Sequence, residues 1–162
     1  MLKQYEDTDF PILENWIADA DLLLQFSGTD FSYPIKQKQI FDYRLLYPDR
    51  KFYIGYTPEN IPFAFGEIIP QDNGIPRLAR VLVGDPGLRG RGLGKYFIQL
   101  LVDECKLKFS ISSVELLVWD KNPAAISCYQ AIGFVYSPEK EKTLIVNDLS
   151  FDIHRMTYTF SK

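Results

Sequence analysis

The stretch Val81 to Gly94, VLVGDPGLRGRGLG, constrains this chain most: an apolar strand runs through a turn into RGRGLG, a loop of three glycines and two arginines. A helix is expected next, since Leu93, Phe97, Leu100, Leu101 and Cys105 recur at offsets 0, 4, 7, 8 and 12, one face of a helical cylinder. Strand, glycine loop and helix in that order bring bare backbone N–H groups and the positive end of a helix dipole to one point. Such a point suits a pyrophosphate. Arg77, Arg80, Arg89, Arg91 and Lys95 stand there against Asp85 alone, a local net of +4 in a chain whose formal charge is −3. An anionic ligand is expected at this loop, and nothing in the whole-chain charge points to nucleic acid or to an anionic membrane.

The remaining sequence reads as one α/β domain. At 162 residues and 46% hydrophobic, the chain is long enough to bury an ordinary core without staples. Leu2 to Tyr5 reads as a strand, Phe10, Leu13, Trp16 and Ile17 as a helix face, and Asp21 to Phe26 as a further helical turn broken at Ser27-Gly28-Thr29-Asp30. A helix is expected to open at Pro34 and to end before Pro48. Lys51 to Tyr56 and Pro62 to Ile69 form a hairpin pattern, and Leu78 to Val83 follows as the strand that feeds the glycine loop. Val114 to Trp119 is a strand apolar enough for burial on both faces, and Asn122-Pro123 opens a short helix that ends at Gly133. Phe134 to Tyr136 and Phe151 to Phe160 close the pattern, with Ser137 to Asp148 as a polar connection and a bulge in the last strand.

Several chemistries are disfavoured at this level. His154 is the sole histidine, so neither a histidine-based metal site nor a histidine triad is expected, and no metal is implied. Cys105 and Cys128 show no metal-ligand spacing and follow no secretory signal, which suggests buried thiols in a reducing cytoplasm. The apolar runs are too short to span a bilayer.

Two nucleotide fingerprints fail on the loop itself. A Walker A loop with Gly94-Lys95 at its end would need glycine at Arg89 and a hydroxyl residue at Tyr96. A G-x-G-x-x-G fingerprint would need glycine at Lys95 or at Phe97. The pattern [RQ]-x-x-G-x-[GA] is met by Arg89, Gly92 and Gly94, and N-x-x-A-x-x-x-Y-x-x-x-G-F is met downstream by Asn122, Ala125, Tyr129, Gly133 and Phe134. On these two motifs the chain resembles the GNAT superfamily of N-acetyltransferases. The segment Leu22 to Pro34 is also similar to the acceptor region of its ribosomal-protein N-terminal acetyltransferases.

The resemblance implies a single domain over 1–162 with a mixed, mostly antiparallel sheet of six to seven strands flanked by helices. Its central strands would splay to form a coenzyme A cleft. Residues 77–136 would form the acetyl-coenzyme A core and residues 1–76 mainly the acceptor side. Val81, Leu82 and Val83 would bind the pantetheine arm through their main chain. Arg89, Gly90, Arg91, Gly92, Leu93, Gly94 and Lys95 would hold the pyrophosphate, with Asn122, Ala125 and Tyr129 lining the same groove. Tyr129 is the expected proton donor to the leaving thiolate, and Glu67 a candidate general base for which Arg80 is a natural ion-pair partner. Cys128 belongs to a core stripe with Ala124, Ala131 and Ile132, which disfavours an acetyl-cysteine intermediate.

Acceptor recognition is expected from the first half, where Phe26, Asp30, Phe31 and Tyr33 form a candidate wall. The implied enzyme is a cytoplasmic monomer or homodimer that moves an acetyl group to a primary amine by direct transfer in a ternary complex. Protein N-terminus, polyamine, aminoglycoside and small metabolite all remain open as acceptors. The rival reading is a non-catalytic acyl-coenzyme A-binding module.

Overall fold

The chain enters through β1 (Leu2–Gln4), then lays down α1 (Phe10–Trp16), α2 (Ala20–Ser27) and α3 (Gln37–Leu46) before β2 (Lys51–Tyr56), β3 (Pro62–Ile69) and β4 (Arg77–Val83). After the glycine loop come α4 (Leu93–Lys108), β5 (Ser113–Trp119), α5 (Pro123–Ile132), β6 (Val135–Val146) and β7 (Leu149–Thr159). This computed structural model describes residues 1–161, and its seven strands form one sheet in the order β1-β2-β3-β4-β5-β7-β6. Every neighbouring pair is antiparallel except β4 and β5.

Alternation along β2, with Phe52 and Ile54 on one side and Tyr53 on the other, separates two cores, and Phe63 and Phe65, two apart in β3, fall in different ones. Phe52, Ile54 and Phe65 pack with Leu13, Leu23 and Ile40 of the first three helices. Tyr53, Phe63 and Leu78 pack on the other side with Phe97, Ile98 and Leu101 of α4. Close approach of α4 depends on Gly66, where a Cβ would lie 2.9 Å from both Leu101 Cδ1 and Phe97 Cε1. Among the described residues no helix is long and apolar enough to cross a membrane, and no group of three or more potential ligands could hold a metal ion.

Three local expectations change. Ser137 to Val146, within the stretch Ser137 to Asp148 read as a polar connection, is most of β6, whose residues Pro138 to Thr143 are all exposed on an outer strand while Leu144 and Val146 are half-buried. Asn147 and Asp148, with φ of 49° and 63°, make the two-residue turn that joins it to β7. The bulge expected in the last strand lies in β6 instead. Register between β5 and β7 is unbroken from Ser113↔Thr159 to Trp119↔Ile153, whereas β6 shifts twice between Tyr136 and Lys142, around Pro138, which has no N–H to offer. Finally, α3 begins at Gln37 rather than at Pro34, while α2 is a separate helix capped by Asp19, whose Oδ1 accepts from Leu22 N at 2.7 Å.

Candidate active site

The site arises where the sheet comes apart. Between β4 and β5 only Arg77↔Glu115 and Leu78↔Leu116 are in register. On its other edge β4 pairs Leu82 with Phe65 and Ala79 with Glu67, so β4 carries one extra residue there. Arg80, at φ 50°, takes the left-handed conformation that such a bulge requires and that non-glycine residues seldom adopt. Past the bulge a cleft of about 730 Å³ opens, with Val81, Leu82 and Val83 on one wall and Leu117, Val118 and Trp119 on the other. The β4 backbone there has lost its β5 partner, which leaves main-chain groups for an extended ligand.

The glycine loop supplies the next part. Gly90 and Gly92 have φ of 74° and 79°, and a Cβ at either would meet no atom within 4 Å, so the loop is both left-handed and open. Gly92 is the N-cap of the 16-residue α4, which has no side-chain cap and no acidic residue in its first turn. Its first N–H groups are therefore without the usual internal partner and favour an anion. Arg89, Gly90, Gly92, Gly94 and Lys95 line the cleft. Arg91 does not and is exposed, and Leu93 turns toward the core packed around α4. The Arg89 Nε donates to Val83 O at 3.1 Å, which ties the loop to the end of β4.

From α5 come Asn122, Ala125, Cys128 and Tyr129, all lining the cleft. Asn122 Oδ1 accepts from Ala125 N at 3.2 Å as the cap of this helix, so its amide nitrogen stays available. Burial pushes the Tyr129 phenol above its ordinary value, with Cys128 adding to the rise, so the hydroxyl keeps its proton at neutral pH. Cys128, expected in the core, is half-buried on the cleft wall, because α5 contributes no fully buried residue and lies across the cleft rather than inside the fold. Burial raises its thiol pKa while Lys95 lowers it, and the net direction is upward.

The remaining wall comes from α2, the loop after it, and the β6–β7 pair. Phe26 and Asp30 line the cleft, as do Leu22, Gln25, Lys142 and Leu144. Asp30 is paired with Arg80, whose guanidinium also contacts Glu67 and lies 5.3 Å from the Phe31 ring centroid and 4.6 Å from that of Tyr43. Phe31 therefore packs behind Arg80 rather than on the cleft, and Tyr33 is 49% exposed, its hydroxyl donating to Ala18 O at 3.1 Å. Glu67 is fully buried: Oε1 accepts from the Tyr43 hydroxyl at 2.8 Å and Oε2 from Arg80. Burial raises its carboxyl pKa, while Arg80 and Tyr43 pull it down, and the carboxylate does not line the cleft. Arg80, Lys142 and Leu144 are wall residues that the motifs alone do not reveal. The run Thr143-Leu144-Ile145-Val146 ahead of Asn147-Asp148 is the signal that would have exposed a strand here.

Comparison with known proteins agrees with this geometry. A model of the acetyltransferase (GNAT) family matches residues 12–134. The fold is similar to that of spermidine N-acetyltransferase from Vibrio cholerae, solved with CoA and spermine, at a TM-score of 0.81 and 15% identity over 98% of this chain and 94% of that one. It is similar also to an aminoglycoside acetyltransferase solved with coenzyme A, at a TM-score of 0.74 and 19% identity over 98% and 94% of the two chains.

Proposed function

As a member of the acetyltransferase (GNAT) family, the chain is an acetyl-coenzyme A-dependent N-acetyltransferase, and we propose that it acetylates a primary amine by direct transfer in the cleft between β4 and β5. The observation that carries this reading is the loss of pairing after two register pairs, set beside an uncapped α4 whose loop glycines leave open space. These features fit a ligand with an extended amide-bearing arm and a diphosphate. When bound, acetyl-coenzyme A supplies an activated acyl thioester.

The chain's own groups then have distinct tasks. The backbone of Val81 to Val83 orients the extended arm, and the N–H groups from Gly92 to Lys95 meet the diphosphate. Tyr129 would give the proton of its phenol to the departing thiolate and regain one, through solvent, from the amine nitrogen, which sheds a proton on becoming the amide. Asp30 meets the amine, and Glu67 acts as a positioning residue by fixing Arg80, which in turn holds Asp30. Cys128 keeps its thiol protonated, which favours one-step transfer over an acyl-cysteine route. Calorimetry with acetyl-coenzyme A, followed by thiol release with an amine panel, tests the reading: binding with turnover is expected. Absence of cofactor binding at high protein concentration would refute it.

A further inference from the structure

The charges around the acceptor wall limit what amine enters. Asp30 is the sole carboxylate among the described residues that line the main cleft, and it shares the single charge of Arg80 with the buried Glu67. The other charged side chains of that wall, Arg77 and Lys142, are cations. Arg77 is paired with Glu115, which is 3% exposed and faces away from the cleft lining, whereas Lys142 is exposed. Leu22, Phe26, Ile69, Leu144 and Ile153 supply an apolar surface between them, with Gln25 and Thr29 as neutral polar neighbours.

A ligand with several ammonium groups needs a carboxylate for each one that leaves water. This wall offers one, shared with a guanidinium, and meets the rest of such a ligand with like charge. A shallower groove next to it, about 510 Å³, contains Asp19 and Asp21 beside Trp16 and Trp119. Asp19 has one oxygen on the α2 cap, Asp21 is exposed, and Arg89 stands in the same groove. Neither Asp19 nor Asp21 is among the described residues that line the main cleft, where an acceptor held at Asp30 lies.

We infer that the acceptor is a monoamine with an apolar body, and that polyamines and aminoglycosides are discriminated against. This rests on the transfer reading above and deepens it by naming the substrate class. The single amine arrives at Asp30 as an ammonium and gives up one proton to solvent before its nitrogen attacks, and the body lies on Phe26, Leu22 and Leu144.

The test compares kcat/KM for phenylethylamine and n-hexylamine with that for spermine and kanamycin at equal acetyl-coenzyme A, by thiol release. Thermal stabilisation by acetyl-coenzyme A is measured in parallel. The monoamines are expected to exceed the polycations by at least tenfold, and Lys142→Glu, which adds a carboxylate to the wall, to narrow that gap at least threefold. Equal or better use of spermine or kanamycin overturns the inference alone, as does a gap unmoved in Lys142→Glu. Stabilisation by acetyl-coenzyme A with no turnover of any amine overturns the transfer reading itself, and the inference with it.

Discussion

The glycine loop and the acceptor wall face one cleft but are built from different atoms. Along Gly90 to Lys95 the groups proposed to bind the diphosphate are backbone N–H donors, set by two left-handed glycines and an uncapped helix start. Along α2 and the loop after it, the proposed recognition would depend on side chains: Asp30 is held by Arg80, Arg80 by Glu67, and Glu67 by Tyr43. Backbone recognition fixes the residue types that permit close approach. Side-chain recognition leaves them free to vary with the acceptor.

Substitutions on the two sides should separate cleanly. The largest effect is expected at Gly92, where Val is incompatible with φ 79° and would stand in the open loop. Gly92→Val should weaken acetyl-coenzyme A binding by roughly 100-fold or more in calorimetry, with the circular dichroism spectrum retained. Affinity within a few fold of the parent chain would break the contrast. Tyr129→Phe comes next: kcat should fall by about 10²-fold while the acetyl-coenzyme A Kd changes by about twofold or less. Because burial holds the Tyr129 phenol above its ordinary 10.0, the parent's kcat/KM should rise with pH as the amine loses its proton. No descending limb from this tyrosine is expected before about pH 10. A limb near neutrality would assign the proton to another group.

On the acceptor side, Arg80→Met strands the buried Glu67 without its cation and releases Asp30. Urea unfolding should show a loss of about 3 kcal/mol, and the KM for the amine should rise by about tenfold in the folded fraction, with cofactor affinity little changed. A matching loss of cofactor affinity would show that the two walls are not separable. The smallest effect is expected for Arg91→Ala, since this exposed side chain does not line the cleft and its charge acts through solvent. A change in acetyl-coenzyme A Kd of about threefold or less is expected.

The same division explains what could be read in advance. Arg89, Gly92, Gly94, Asn122 and Tyr129 were legible in sequence because a helix start, a cap and a backbone approach each demand a residue type at fixed spacing. The element order was legible for the same reason, through hydrophobic period and turn residues. The pairing of Arg80 with Glu67 was legible too, but its contact with Asp30 at a bulge was not, since the extra residue in β4 is a matter of register with β3, which no local pattern records. Lys142 and Leu144 were hidden by the polarity of β6, an outer strand whose exposed side chains resemble those of a loop. Phe31 and Tyr33 show the limit of reading aromatics in a loop. Both lie near the site, but Phe31 packs behind Arg80 and Tyr33 turns outward.

The two rungs between β4 and β5 also bear on how long the molecule survives. They are the sheet's whole hydrogen-bonded seam between its two parts, β1 to β4 and β5 to β7. A cofactor lying in the gap would supply the missing rungs, and it would do so only in the native chain. At a hundred times its Kd it would stabilise the fold by about 2.7 kcal/mol. The intact fraction of the enzyme would then track the supply of its acetyl donor, so that scarcity of the donor would shorten the lifetime of the catalyst as well as slow its reaction.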